Sequence, residues 1–269
     1  MRVARAALHM WEEPCISGEE GSGAVFFTGC SLRCVYCQNY ALSRGETGKE
    51  ISVKRLAEIF LELSDQGANN INLVTPTHFV PQIIEALEMA KEEGLKLPIV
   101  YNTSGYERVE VLKRLKGLVD IYLPDFKYWE KESAKRYSMA GDYPEAAKAA
   151  LREMVDQAPA PVFDERGIMR RGVIVRHLLL PGHVTEAKKI VEYLYKTYGD
   201  QIYVSLMNQY TPLDTLDADA FPELNRKVTK REYDRLVDYA IDLGVECGYI
   251  QEGETAMKSF IPPFTLNGV

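Results

Sequence analysis

Six short apolar, strand-like runs alternate with longer amphipathic segments along the 269 residues, and this alternation constrains the fold more than any other feature of the chain. The runs are AVFFTG (24–29), NINLVT (70–75), LPIVYNT (97–103), LVDIYLPDF (118–126), GVIVRHLLLPG (172–182) and QIYVSLMNQY (201–210). The segments between them have helical periodicity. In VKRLAEIFLELSDQG (53–67) the residues Val53, Leu56, Ala57 and Phe60 share a face, and in the next helix, with Pro81 near its start, the inward set is Val80, Ile83, Ile84, Leu87 and Ala90. ERVEVLKRLKG follows the third run, helices over roughly 130–157 follow the fourth, and TEAKKIVEYLYKTYG follows the fifth. The last helix, REYDRLVDYAIDLG, is introduced by Thr229 and Glu232 at the spacing of a capping box. Six such units predict an α/β protein with a parallel sheet and covering helices, either doubly wound or a partial barrel, with ligands gathered at the C-terminal ends of the strands.

A chain that is 46% apolar and 26% charged can bury a large core, and no linker or repeat divides it, so one domain over 1–269 is expected. Residues 1–23 read as an N-terminal extension and PAPVFDERGIMRRG (159–172) as an inserted β-hairpin, while 211–228 is the longest stretch without structure of its own. GEEGSG (18–23) lacks the lysine of a phosphate loop and precedes a strand, so it reads as a turn. The net charge of −7, with basic residues scattered among acidic ones, argues against a nucleic-acid partner. No run approaches the roughly 20 apolar residues of a membrane span, and the start, MRVARAALHMWEEP, carries acids where a signal peptide keeps an apolar core. A cytoplasmic protein is expected.

Three of the five cysteines fall within eight residues, in FFTGCSLRCVYCQNY, directly after the first strand. That crowding suits a metal centre better than a disulfide framework and a reducing compartment better than an oxidising one. Cys30, Cys34 and Cys37, in the spacing CxxxCxxC, can wrap three corners of a cubane and leave the fourth iron open. A structural zinc is the alternative, but it asks for four protein ligands in paired elements, and no second pair is present. Cys15 and Cys247 lie far away in sequence, without a partner at ligand spacing.

CSLRCVYC, with aromatic Tyr36 before the third cysteine, resembles the signature of radical S-adenosylmethionine enzymes. The resemblance implies a partial (β/α)6 TIM-like barrel, parallel strands with outer helices, a 4Fe-4S cluster on Cys30, Cys34 and Cys37, and S-adenosylmethionine chelated at the open iron. Unactivated C–H bonds are too weakly acidic for a side-chain base, which is why such chemistry needs a cofactor-borne radical. Across most of its length the sequence is most similar to the pyruvate formate-lyase activating enzymes. VTPTH stands where that family has GGEP, placing Thr75 and Thr77 beside the cofactor's methionyl amine; YNTSGY stands for DTNG, placing Asn102 and Ser104 by the cofactor's carboxylate with a monovalent cation possible. PDFK matches a DxK element lying between cofactor and substrate, which makes Asp125 and Lys127 the catalytic candidates, and alternate residues at a strand end point the same way. VRHLLLPG makes Arg176 a cofactor contact, and an arginine in an apolar run also needs a carboxylate or ligand beside it. Tyr36 is implied at the adenine and Gln209, in MNQY, near the ribose.

The resemblance implies an oxidoreductase of anaerobic chemistry that removes a hydrogen atom from a glycine of a partner enzyme. Its reductant would be a flavodoxin or ferredoxin, because the chain has no cysteine-rich insert for further clusters. A small molecule, another peptide or RNA are alternative substrates. A non-catalytic iron–sulfur electron carrier is the alternative of another class.

Overall fold

A computed structural model describes residues 1–251 and 264–269. Its strands are β1 (Arg2–His9), β2 (Ser22–Phe27), β3 (Lys49–Glu50), β4 (Ile71–Val74), β5 (Ile99–Thr103), β6 (Ile121–Pro124), β7 (Val162–Phe163), β8 (Met169–Leu178), β9 (Tyr203–Met207) and β10 (Gly248–Ile250). Its helices are α1 (Pro14–Ser17), α2 (Tyr40–Arg44), α3 (Val53–Asp65), α4 (Val80–Glu92), α5 (Val109–Arg114), α6 (Lys131–Ser138), α7 (Tyr143–Gln157), α8 (Val184–Tyr198) and α9 (Lys230–Leu243). The sheet order is β3-β1-β2-β4-β5-β6-β8-β9-β10, parallel from β2 to β10. This is the partial barrel: the six strands read from the sequence lie side by side in chain order, each followed by helical cover.

Period-two alternation sorts each strand into two faces. Ile71, Leu73, Ile99, Tyr101, Tyr122 and Val175 point outward and share one core with the helices. On the inner face, Val100, Ile121, Leu123 and Ile174 form a second core, on which Cys15 and Ile16 of α1 pack. The floor of the barrel is therefore plugged by the segment that precedes β2. Buried asparagines beside this plug are satisfied by its carbonyls: Asn70 Nδ2 donates to Ile16 O at 2.8 Å and Asn69 Nδ2 to Ser17 O at 2.7 Å.

Local signals account for the helices. Ser52 caps α3 by accepting from Arg55 N at 3.1 Å, and its inward face comprises Leu56, Ala57, Ile59, Phe60 and Leu63. At α9 both bonds of the capping box form, Glu232 N to Thr229 Oγ1 at 3.2 Å and Thr229 N to Glu232 Oε2 at 2.9 Å. Glu232 also accepts from Gly182 N at 2.8 Å, which ties the turn after β8 to the start of α9.

Two elements depart from the sequence reading. The N-terminal extension contains β1, an antiparallel strand on the edge of β2; its buried residues Val3, Ala4 and Ala6 are mostly too small to give a clear apolar alternation. β10 adds a seventh parallel strand beside β9, and at three residues it is too short to register as an apolar run. Val162–Phe163 pairs antiparallel with the start of β8 around a turn at Asp164–Gly167. Among the described residues no helix is long and apolar enough to cross a membrane.

Candidate active site

The first strand after the plug delivers the cysteines. β2 is buried along its whole length and ends at Phe27; Gly29, at φ +96°, then turns the chain in a conformation that favours glycine. The following loop is fastened to the end of α6, with Val35 N donating to Tyr137 O at 2.9 Å and Arg33 N to Ser138 O at 3.3 Å. Cys30, Cys34 and Cys37 thereby line one cavity of about 240 Å3, together with residues at or just past the C-terminal ends of β4, β5, β6, β8 and β9. Among the described residues no three His, Cys, Asp or Glu side chains are grouped as ligands of a single metal ion. A cubane makes no such demand, because each thiolate binds a different iron.

Burial pushes the Cys30 thiol up to about 12 and raises that of Cys34 as well, with the Lys127 charge opposing the rise in both. Sulfurs in such surroundings are poor thiolates until a metal takes the proton's place. The donor set therefore fits an iron–sulfur cluster: three sulfurs on one wall, a cation beside them and open volume in front. Cys15, pushed up to about 11 by burial, sits in the core under the barrel floor, and neither it nor Cys247 lines this cavity.

In the same cavity, the strand ends carry a network of charge. Arg176 Nε meets Asp125 Oδ1 at 3.1 Å, its Nη1 meets Glu12 Oε2 at 3.1 Å, and its Nη2 donates to Asn102 Oδ1 at 2.6 Å. Lys127 Nζ lies 2.6 Å from Asp125 Oδ2. Asn102 and Asn72 both donate to Glu12 Oε1, at 3.2 and 3.1 Å. Burial by itself would raise the Asp125 carboxyl, yet the Lys127 and Arg176 charges outweigh it and hold it below the usual carboxylate range. Two carboxylates thus face two cations, which is the condition under which buried charge is tolerated. The positive charge beside Asn102 is supplied by Arg176 itself.

Of the residues singled out from the sequence, Tyr36, Thr75, Asn102, Ser104, Asp125, Lys127, Arg176 and Gln209 line the same cavity as the cysteines. Thr75 has φ +58°, a left-handed conformation rare for a β-branched residue, at the turn after β4. Thr77 stands apart: its hydroxyl donates to Glu107 Oε1 at 2.6 Å, and it does not line the cavity. The Thr77 side chain therefore braces the turn after β4 against the turn after β5 rather than facing a ligand. Tyr36 is buried, with its hydroxyl 2.6 Å from that of Tyr128. His177 is a satisfied interior histidine, its Nδ1 2.7 Å from Phe126 O.

Sequence reasoning missed Glu12, Glu13 and Glu107. Glu12 and Glu13 precede the floor plug and enter the barrel from below. The Glu13 carboxyl is raised by burial, against the opposing charge of Arg176, and its Oε2 is buried without a hydrogen-bond partner. Both glutamates line a second chamber of about 380 Å3, which shares Gln38, Asn39, Asn102, Arg176 and Gln209 with the cysteine cavity. A run of two acids just before a proline was their only sequence signal.

Comparison with known proteins follows the same outline. The profile of the Radical SAM superfamily matches residues 24–194. An uncharacterized protein of Methanocaldococcus jannaschii is 30% identical over 243 residues, 87% of this chain and 65% of that protein. The pyruvate formate-lyase-activating enzyme of Clostridium pasteurianum is 29% identical over 123 residues, 41% of this chain and 48% of that enzyme. The chain thus spans less than two thirds of the length of either relative. Among solved structures, Streptococcus suis SuiB bound to S-adenosylmethionine superposes with a TM-score of 0.53 at 13% identity, covering 86% of this chain and 52% of that one.

Proposed function

We propose that this chain, which belongs to the radical SAM superfamily, activates a partner enzyme by removing a hydrogen atom from one of its glycines. Its cofactors are a 4Fe-4S cluster and S-adenosylmethionine. The chemistry they supply when bound is a single electron passed into the sulfonium and the resulting 5′-deoxyadenosyl radical. Cys30, Cys34 and Cys37 would hold the cluster, and Thr75, Asn102, Ser104, Arg176 and Gln209 would hold S-adenosylmethionine with Tyr36 at its base. Asp125 and Lys127, locked as an ion pair on the cavity wall, would position the substrate backbone.

One observation carries this reading. Side chains from five successive strand ends meet the three cysteines in a single cavity, the juxtaposition that hydrogen abstraction next to a cluster requires. The similarity to the Clostridium pasteurianum enzyme supports a glycine as target. An external flavodoxin or ferredoxin would supply the electron. A second reading, a small-molecule substrate, is favoured by the chamber of about 380 Å3 alongside, whose size suits a ligand pocket.

The test is anaerobic reconstitution with iron and sulfide, reduction, addition of S-adenosylmethionine, and measurement of 5′-deoxyadenosine by mass spectrometry. A glycyl-radical enzyme grown on deuterated glycine is then added as partner. Deuterium in the 5′-deoxyadenosine, with a glycyl signal by electron paramagnetic resonance, supports the activase. Turnover without deuterium transfer rejects it in favour of the small molecule, and no turnover in a cluster-loaded, reduced sample rejects both.

A further inference from the structure

We infer that Ser138, held in place by Tyr128 and Tyr36, sets the potential at which a cluster ligated by Cys34 takes up its electron; the inference rests on the superfamily reading above. Ser138 is the last residue of α6 and is 1% exposed, and its Oγ lies 2.9 Å from Cys34 Sγ. The Tyr128 hydroxyl is 2.6 Å from Ser138 Oγ, and the Tyr36 hydroxyl is 2.6 Å from that of Tyr128.

Each of these three hydroxyls has one proton to give, and a ligating thiolate can only accept. The direction of the whole chain follows. Ser138 donates to Cys34, so its oxygen must receive from Tyr128, and the Tyr128 oxygen must receive from Tyr36. All three donors are buried, and bonds in such a chain polarise one another. A buried serine in a helix ordinarily bonds back to the carbonyl four residues earlier. This one turns to the sulfur instead, and the end of α6 is fixed for the purpose, since the carbonyls of Tyr137 and Ser138 accept from Val35 and Arg33 of the cysteine loop.

Reduction adds one electron, from an external low-potential reductant, and no proton. The cluster becomes more negative by one charge. A donor aimed at a ligating sulfur stabilises the more negative state, and hydrogen bonds to the sulfurs are among the determinants of cluster potential. Ser138 therefore eases reduction by acting through Cys34, and Tyr128 acts only through Ser138.

The experiment is a potentiometric titration of the full, cluster-loaded chain, read by electron paramagnetic resonance of the reduced cluster. Ser138→Ala is expected to make reduction roughly tenfold less favourable, a fall in midpoint of about 59 mV for one electron. Tyr128→Phe should shift the midpoint less, in the same direction, and should add nothing in the Ser138→Ala background. That non-additivity distinguishes a relay from general loosening of the structure. An unmoved midpoint in cluster-loaded Ser138→Ala overturns the inference, as does a Tyr128→Phe shift of equal size in both backgrounds. Should Ser138→Ala fail to fold, an unmoved midpoint in Tyr128→Phe overturns it alone. A parent chain that assembles no cluster overturns the superfamily reading, and this inference falls with it.

Discussion

Removing the Glu12 carboxylate tests whether the charge network holds the barrel together or merely decorates it. Glu12 accepts from Arg176 Nη1, Asn72 Nδ2 and Asn102 Nδ2, and its side chain is only 9% exposed. In Glu12→Ala the guanidinium keeps Asp125 and has Glu13 nearby, but one of its two salt-bridged carboxylates is gone and two buried amides lose their acceptor. Breaking a buried pair from one side costs about 3–5 kcal/mol, and with Asp125 still in place the lower end, about 3 kcal/mol, applies. For a chain of this size that is a fall in Tm of roughly 6–12 °C. Glu12→Gln keeps an oxygen for the two amides and removes only the charge at Arg176. A single hydrogen bond to a charged group, about 1.5 kcal/mol, is then at stake, or roughly 3–6 °C. The assay is thermal unfolding of the cluster-free chain under reducing conditions, followed by circular dichroism. A Glu12→Ala Tm within 2 °C of the parent would refute the reasoning, and equal losses in the two variants would assign the effect to packing instead of charge.

Cys30→Ala, Cys34→Ala and Cys37→Ala should each abolish the iron–sulfur absorption of the reconstituted chain, whereas Cys15→Ala should retain it, since Cys15 packs under the barrel floor; loss of the cluster in Cys15→Ala would contradict the ligand assignment. Thr75→Gly relieves left-handed strain of roughly 1–2 kcal/mol against an unfolded-state entropy of about 0.5–1 kcal/mol, so its Tm should equal or exceed the parent's, and a loss above 2 °C would show that the threonine side chain earns its place by contacts. His177 has a pKa lowered chiefly by burial, so as pH falls through about 6.5 the unfolded chain takes up a proton that the folded chain refuses. Stability should therefore decline below that pH, less steeply in His177→Gln; parallel pH profiles for the two proteins would exclude His177 as the group responsible.

The layers of this fold were legible because the strand runs are short and largely apolar and alternate with amphipathic segments, and the cysteine loop because its ligands lie within eight residues. Asp125, Lys127 and Arg176 could also be read, as charged residues at the ends of apolar runs. Their partners could not. Glu12 lies 164 residues from Arg176, and Ser138 lies 104 from Cys34. Neither separation bears any periodic relation to a motif, because such pairs are set by which strand ends and helix ends the topology brings together. β1 escaped notice because alanines line much of its buried side, and an alanine alternating with arginine gives little contrast. Thr77 misled for the opposite reason: its position in the turn matched a known pattern, while the acid it bonds, Glu107, arrives from the next turn along.

The inner face of the barrel also explains why the acids enter from the N-terminal segment. Inward positions on β5, β6 and β8 change from apolar at Val100, Ile121, Leu123 and Ile174 to polar at Asn102, Asp125 and Arg176 within one or two pleats. Below that boundary α1 packs against hydrocarbon; above it the side chains must bind one another or a ligand. A segment crossing the boundary has to be apolar on one side of it and acidic on the other, and Glu12, Glu13, Pro14, Cys15 and Ile16 satisfy this order in five residues. The same segment fills the floor and supplies a second counter-charge for Arg176, while Asp125 meets Arg176 through one oxygen and Lys127 through the other. Glu12 thus joins the charge network at the strand ends without lining the cysteine cavity.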